Sequence, residues 1–217
     1  MYTYSKCLTE ADFETFSEHA LVDPFLKRIH PFYRYEHPMR KWEYGLALKF
    51  LLEVGAKTVL DVGGGGSALA PLLAHYGIDV TQIDPDPSGI EAVEKQNEIL
   101  GCDIKFINED FLKYTSRKKY DAVTCMSTIE HIEGKVDEKA FMTKLCKPGN
   151  ILFLTTDFST TGKTFGGAHC RTYNKVSMVK LANLAKNYGF KYYGEVDWTY
   201  GGAMVYEYTF ASLALTK

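Results

Sequence analysis

The stretch VLDVGGGGSALA, residues 59–70, constrains the fold more than any other feature of the chain. An apolar run with strand character reaches Asp61, four consecutive glycines follow within two residues, and an apolar helical pattern begins at Leu69. Glycine at a strand-to-helix turn lets backbone N–H groups approach a ligand closely, and the helix beyond presents the positive end of its dipole. The turn predicts a ligand-binding βα unit, and the remaining sequence has to supply a sheet around it.

It does so by alternation. Strand 57–62 leads into a helix marked by Leu69, Leu72, Leu73 and Tyr76, which Gly77 ends. The segment IDVTQI forms a second strand. Asp86 and Pro87 then offer a capping side chain followed by proline at the first helical position, where its missing N–H costs nothing, and this helix runs to about Leu100. DIKFIN, YDAVTC and NILFLTT are strands three, four and five, with a helical stretch around 136–146 and the turn Lys147-Pro148-Gly149 before the last. Met178, Leu181, Ala182 and Ala185 share one face of a final helix, capped by Asn174 and stopped by Gly189. Two strands near 190–197 and 204–213, joined through Gly201-Gly202, are expected to pair antiparallel.

Upstream, residues 9–54 read as helical, interrupted around Pro24, Pro31 and Pro38. The expected fold class is α/β: an open seven-stranded Rossmann-like sheet, mainly parallel with a C-terminal antiparallel hairpin and helices on both faces. An N-terminal helical lid or appendage is expected at 1–38, with the domain proper at 39–217.

Composition removes several function classes. With 25 basic against 27 acidic residues the net charge is −2, too little positive charge to hold a phosphate backbone across a broad face, which argues against nucleic acid as partner. No apolar stretch approaches a membrane span and no apolar signal core follows Met1, so a cytoplasmic protein without membrane association is expected. Cys7, Cys102, Cys125, Cys146 and Cys170 show no paired metal-ligand spacing, and reduced thiols are expected.

Open sheets of this kind bind ligands beyond the carboxyl ends of their strands, which nominates Asp61 to Gly66, Asp84, Asp110 and Met126 to His131. A nucleotide P-loop is a poor fit: DFSTTGKT supplies Gly162, Lys163 and Thr164 but has Asp157 where the first glycine belongs. A dinucleotide site fits better, since Gly63, Gly65 and Ala68 satisfy the relaxed GxGxx[GA] pattern and Asp84 lies near the distance of a ribose-binding acid. An NAD(P)-linked oxidoreductase is therefore one reading, although the Tyr114…Lys118 pair falls too early in the chain for a reductase proton relay.

Taken in order, VLDVGGGG, Asp84 after strand two, NEDF after strand three and DAVTCMSTIEHI at strand four resemble the class I S-adenosylmethionine-dependent methyltransferases over roughly residues 40–213. KPGNILFLTT and the terminal hairpin are also similar; Ser67 departs from the GxGxG form of the family's first motif. The resemblance implies S-adenosyl-L-methionine as cofactor and a small-molecule or carbohydrate-like methyl acceptor, O- or N-methylated by in-line displacement. Asp61, Gly63, Gly64 and Gly65 would serve its amino-acid end, and Asp84 the ribose hydroxyls. Asp110 would accept from the adenine amino group, Phe111 or Ile83 would pack on the ring, and Met126 would line the methionine pocket. A catalytically inactive binding subunit of the same fold is a further reading, with the intact site acids against it.

Methyl transfer from a sulfonium needs placement above all, and a base only for a hydroxyl or ammonium acceptor. His131 and His169 are the candidates. Relatives with a second glutamate three residues before Glu130 bind a metal there; this chain has Ser127, so none is expected. For acceptor contacts the sequence nominates Arg171 and Tyr173 in GGAHCRTYN and Arg40, Trp42 and Tyr44 in HPMRKWEYG, arginine suiting an anion and the aromatics a ring or sugar face. A packed lid or surface salt bridges would account for the same residues.

Overall fold

The computed structural model describes residues 2–9, 11–12, 22, 25, 38–132, 135–160, 171–199 and 208–217. In chain order its elements are β1 (Ser5–Lys6), α1 (Pro38–Glu53), β2 (Thr58–Val62), α2 (Leu69–His75), β3 (Asp79–Asp84), α3 (Ser88–Leu100), β4 (Lys105–Asn108) and β5 (Ala122–Met126). A single 3₁₀ turn at Ile129–His131 follows, then α4 (Lys135–Leu145), β6 (Ile151–Phe158), α5 (Lys175–Lys186), β7 (Lys191–Tyr192), β8 (Val196–Asp197) and β9 (Thr209–Thr216). Seven strands form a sheet in the order β4-β3-β2-β5-β6-β9-β7, the expected α/β arrangement, and β1 with β8 makes a separate two-stranded pair. The chain divides into two compact units, Phe16–Thr124 on the one hand and Met1–Thr15 with Cys125–Lys217 on the other.

In the unit Phe16–Thr124, β2 pairs in parallel with β3 and β5, and β3 with β4. β2 reads TVLDV with every residue after Thr58 buried, the near-continuous burial of an interior parallel strand. Gly77 at φ +80° ends the α2 segment. Before α3, the Asp86 carboxylate accepts the Ser88 N–H at 2.9 Å, and Pro87 takes the capping position, one residue later than the sequence suggests. Gly101, left-handed at φ +63°, closes α3, and the Asn97 side chain spans to both backbone groups of Ile104 to start β4. α1 sinks Trp42, Tyr44, Leu46, Leu48, Phe50 and Leu51 into the core of this unit.

In the other unit, β6 and β9 run antiparallel over their full length, from Ile151↔Thr216 to Phe158↔Thr209. β7 also pairs antiparallel with β9, as expected, but the strands are 191–192 and 209–216 rather than 190–197 and 204–213. Val196–Asp197 instead pairs in parallel with β1, through Ser5↔Val196. Gly201, Gly202 and residues 203–207 lie outside the described residues. The Ser212 hydroxyl donates to the Tyr4 carbonyl at 2.7 Å, and the Leu8 N–H to the Phe210 carbonyl at 2.8 Å. Residues 4–8 are thus stitched to β9, which corrects the expectation of a helical appendage for the start of 1–38; most of 10–37 lies outside the described residues. α5 opens on a reciprocal capping box, Asn174 accepting from Ser177 N–H and the Ser177 hydroxyl accepting from Asn174 N–H. The terminal Lys217 ammonium donates to the carbonyls of Cys146 and Gly149 beyond the end of α4, at 3.2 and 3.0 Å. Among the described residues no helix is long and apolar enough to cross a membrane.

Candidate functional site

The glycine turn follows β2 directly. The Gly63 N–H donates to the Ile83 carbonyl, the Ser67 N–H closes the turn on the Gly64 carbonyl at 2.6 Å, and Gln96 Nε2 holds the Gly66 carbonyl at 3.2 Å. Ser67 is therefore compatible with the turn. Gly65 has φ +50°, a conformation L side chains rarely adopt. At Gly64 the constraint is space: a Cβ there would lie 2.0 Å from Gln82 Nε2 and 2.5 Å from Asp61 Oδ2.

Beneath the turn lies Asp61, 1% exposed. Strand register places Gln82 of β3 on one side of it and Thr124 of β5 on the other. Gln82 Nε2 donates to one carboxylate oxygen at 3.0 Å and the Thr124 hydroxyl to the other at 2.7 Å. Burial pushes the Asp61 carboxyl up to about 6 despite these donors, and the nearby Asp84 charge adds to the rise. Asp61 thus supports the turn through its two side-chain neighbours.

Asp84 ends β3 half-buried, with its carboxylate accepting the Asp86 N–H at 2.8 Å and the Gly65 N–H. Its pKa is raised, mainly by burial. Asp84 and Gly65 are close neighbours, since a Cβ on Gly65 would reach Asp84 Oδ2 at 3.4 Å, an ordinary contact. Asp110, with its side chain 43% exposed, accepts the Leu112 N–H at 2.9 Å and keeps the second oxygen near Lys113 at 3.8 Å. It organises the turn 110–114 and still presents carboxylate to solvent. Phe111 beside it is buried.

In the other unit, Met126 ends β5 almost fully buried, with the Thr155 hydroxyl 4.0 Å from its sulfur. Ser127 follows at φ +42°, the one non-glycine residue with positive φ among those described, and Thr155 accepts its N–H through both carbonyl and hydroxyl. Glu130, buried, accepts the Asp157 N–H, and its carbonyl accepts the Arg171 N–H. His131 is exposed at the end of the 3₁₀ turn. His169 lies outside the described residues.

The acceptor-side expectations change most. Tyr173 is 2% exposed, and its hydroxyl donates to Glu138 of α4 at 2.7 Å; burial and the Glu138 carboxylate drive its pKa far above the ordinary phenol value. Arg171 pairs with the same Glu138 carboxylate and with the Tyr173 hydroxyl. These two residues form an internal triad with Glu138, which withdraws Tyr173 as an acceptor contact and leaves the Arg171 guanidinium committed. Trp42 is 0% exposed, a core side chain, and Tyr44 is buried with it. Arg40 pairs at 2.9 Å with Glu43, which is itself fully buried. The sequence reading also missed three polar partners, Gln82, Thr124 and Glu138. A glutamine inside an otherwise buried strand was the available signal for the first.

Comparison with known proteins bears on the fold and on residues 59–149. A family model described as a methyltransferase domain matches residues 59–149. Curated relatives include ubiquinone biosynthesis O-methyltransferases of Actinobacillus pleuropneumoniae serotype 5b (strain L20), 34% identical over 106 residues, and of Saccharophagus degradans, 30% identical over 106 residues. These matches cover 46% and 48% of the chain and 45% of each relative, so the chain spans just under half the length of these proteins. Among solved structures, magnesium protoporphyrin IX methyltransferase from Synechocystis PCC 6803 with bound S-adenosylhomocysteine aligns at a TM-score of 0.64 with 18% identity, covering 94% of this chain and 99% of that one. An N-methyltransferase from Bradyrhizobium japonicum WM9 in complex with S-adenosylhomocysteine aligns at 0.65 with 14% identity, covering 82% and 88%. Residues 59–149 thus match a methyltransferase domain, and the chain shares its fold with methyltransferases solved with S-adenosylhomocysteine bound.

Proposed function

We propose that this chain transfers a methyl group from S-adenosylmethionine to a small-molecule acceptor. The observation that carries the reading is the cradle at the end of β2 and β3. There a turn that excludes any side chain at Gly64 sits on a buried carboxylate and beside the half-buried Asp84. Such a cradle lets a ligand approach the backbone closely at Gly64 and sets the Asp84 carboxylate acceptor beside it, which fits a ligand carrying an amino-acid end and a ribose diol.

Gly63, Gly64 and Gly65 would hold the amino-acid end with Asp61 supporting them, Asp84 would accept from the ribose hydroxyls, and Asp110 with Phe111 would serve the adenine. Met126 is proposed for the methionine side. When bound, the cofactor supplies an already activated sulfonium methyl. The chain's own task is then to orient the acceptor and exclude competing water. Where the acceptor is a hydroxyl or ammonium, the exposed His131 imidazole is proposed to take its proton, with His169 as the second candidate. The relatives named for ubiquinone biosynthesis support a hydroxyl acceptor, hence O-methylation.

The test is calorimetric titration with S-adenosylhomocysteine and, separately, NAD, followed by a methyl-transfer screen over phenols, sugars, amines and carboxylates. Micromolar or tighter S-adenosylhomocysteine binding with far weaker NAD binding is expected. Tighter binding of NAD would favour the oxidoreductase reading, and cofactor binding without transfer to any acceptor would favour an inactive binding subunit.

A further inference from the structure

Gln82 is fully buried in the interior of β3, in a position that the burial of its neighbours Val80, Thr81 and Ile83 marks as core. Its Oε1 finds no hydrogen-bond partner among the described residues. A buried amide oxygen without a donor is destabilising, so an aliphatic residue would suit the strand better if packing were the only requirement. Two contacts give the amide a purpose. Nε2 donates to Asp61 Oδ2 at 3.0 Å, opposite the Thr124 hydroxyl that donates to Oδ1 at 2.7 Å. The same nitrogen occupies the volume that a Cβ on residue 64 would need, 2.0 Å from its ideal position, with the amide carbon 2.5 Å away.

We infer that Gln82 is a positioning residue for the cofactor turn: its amide clamps the Asp61 carboxylate, and its bulk sets how closely the backbone at Gly64 packs onto β3. This rests on the reading that the turn holds S-adenosylmethionine, and adds to it a residue that acts only through Asp61 and Gly64. The amide fixes one carboxylate oxygen while Thr124 fixes the other, so the carboxylate plane beneath the turn has a single orientation. The glycine at 64 is then the counterpart of the glutamine at 82. A side chain at one position requires a smaller one at the other.

The experiment is a set of S-adenosylhomocysteine titrations on wild type, Gln82→Leu, Gln82→Ala, Gly64→Ala and the Gly64→Ala/Gln82→Ala double variant, each with its thermal midpoint. Gln82→Leu keeps the bulk and removes the donor to a charged group. It should weaken binding by roughly tenfold or more at temperatures well below the midpoint, where the variant is folded, a loss that a merely structural role would not produce. Gly64→Ala should weaken binding through collision with the amide, and the same substitution should cost less affinity in the Gln82→Ala background, where the amide is gone and only Asp61 Oδ2 still crowds the added Cβ. Unchanged affinity in Gln82→Leu, or a Gly64→Ala loss as large in the Gln82→Ala background as in wild type, would overturn the inference while leaving the proposed function standing. Should Gln82→Leu fail to fold, the Gly64→Ala pair decides the matter alone. A wild type that does not bind S-adenosylhomocysteine would overturn the proposed function and this inference with it.

Discussion

Replacing Asp61 by asparagine should make the protein more stable at neutral pH. The Asp61 carboxyl is fully buried, and its pKa rises from 3.8 to about 6 in the folded chain, chiefly because burial penalises the charge. The gap corresponds to about 3 kcal/mol between the two protonation states. Since the folded state holds the proton more tightly than the unfolded chain, the neutral carboxyl's contribution is complete below about pH 4. It is lost as pH rises through about 6. Above that, a buried charge opposes folding by up to the full amount. Asp61→Asn removes the charge and keeps the shape. Its carbonyl can still accept from Thr124, and its amide can donate to Gln82 Oε1, an oxygen without a partner among the described residues, once the Gln82 amide turns over.

Urea denaturation of both proteins near pH 4 and near pH 7.5 measures this directly. The expected outcome is a gain of up to about 3 kcal/mol for Asp61→Asn at the higher pH and little or none at the lower. The same variant should bind S-adenosylhomocysteine more weakly, because a buried carboxylate kept at such cost is a functional charge rather than a stabilising one. A variant destabilised equally at both pH values would refute the reasoning. It would mean that the Gln82 and Thr124 hydrogen bonds outweigh burial and that Asp61 is a structural residue.

Asp84→Ala should weaken S-adenosylhomocysteine binding by about 1–3 kcal/mol with the fold intact, and unchanged calorimetric affinity would remove Asp84 as the ribose acid. Tyr173→Phe, which deletes the buried hydroxyl donating to Glu138, should cost about 1–3 kcal/mol in denaturant unfolding and leave cofactor affinity alone. His131→Ala should lower turnover on a true acceptor on the order of 100-fold with S-adenosylhomocysteine affinity retained, and full turnover would exclude it as an indispensable base. At Gly65, asparagine should be tolerated better than alanine because it adopts positive φ more readily, whereas at Gly64 asparagine should be worse than alanine; a common ranking at both positions in thermal unfolding would contradict the distinction.

The alternation of strands and helices was legible because interior parallel strands are apolar runs punctuated by glycine, proline and capping residues, as at Gly77, Asp86-Pro87 and Asn174. β1 was not, and β7 and β8 read as one strand over 190–197, since a strand of two residues has no period that marks its ends. The pairing of Ser5 with Val196 joins distant parts of the chain, and no local pattern announces it. The N-terminal segment was consequently assigned to a lid when its first residues belong with β9. Trp42 and Tyr173 failed for a different reason. An aromatic near a presumed ligand reads the same whether it faces a pocket or a core, and burial decides which.

The four glycines show how far composition can stand in for geometry. As a string they announced a close backbone approach, and that inference needed only the absence of a side chain. The reasons for that absence differ along the turn. Gly65 is required by its dihedral angle, with room for a Cβ beside Asp84, whereas Gly64 is required by its neighbour and would strike the Gln82 amide. The first reason is local and a sequence pattern captures it. The second depends on strand register, Asp61 beside Gln82 on one flank and Thr124 on the other, and becomes visible only when β2, β3 and β5 are laid side by side. The polar residues that support the turn are therefore harder to find than those presented at its rim: Asp84 is marked by its place after a strand, Gln82 only by what it touches.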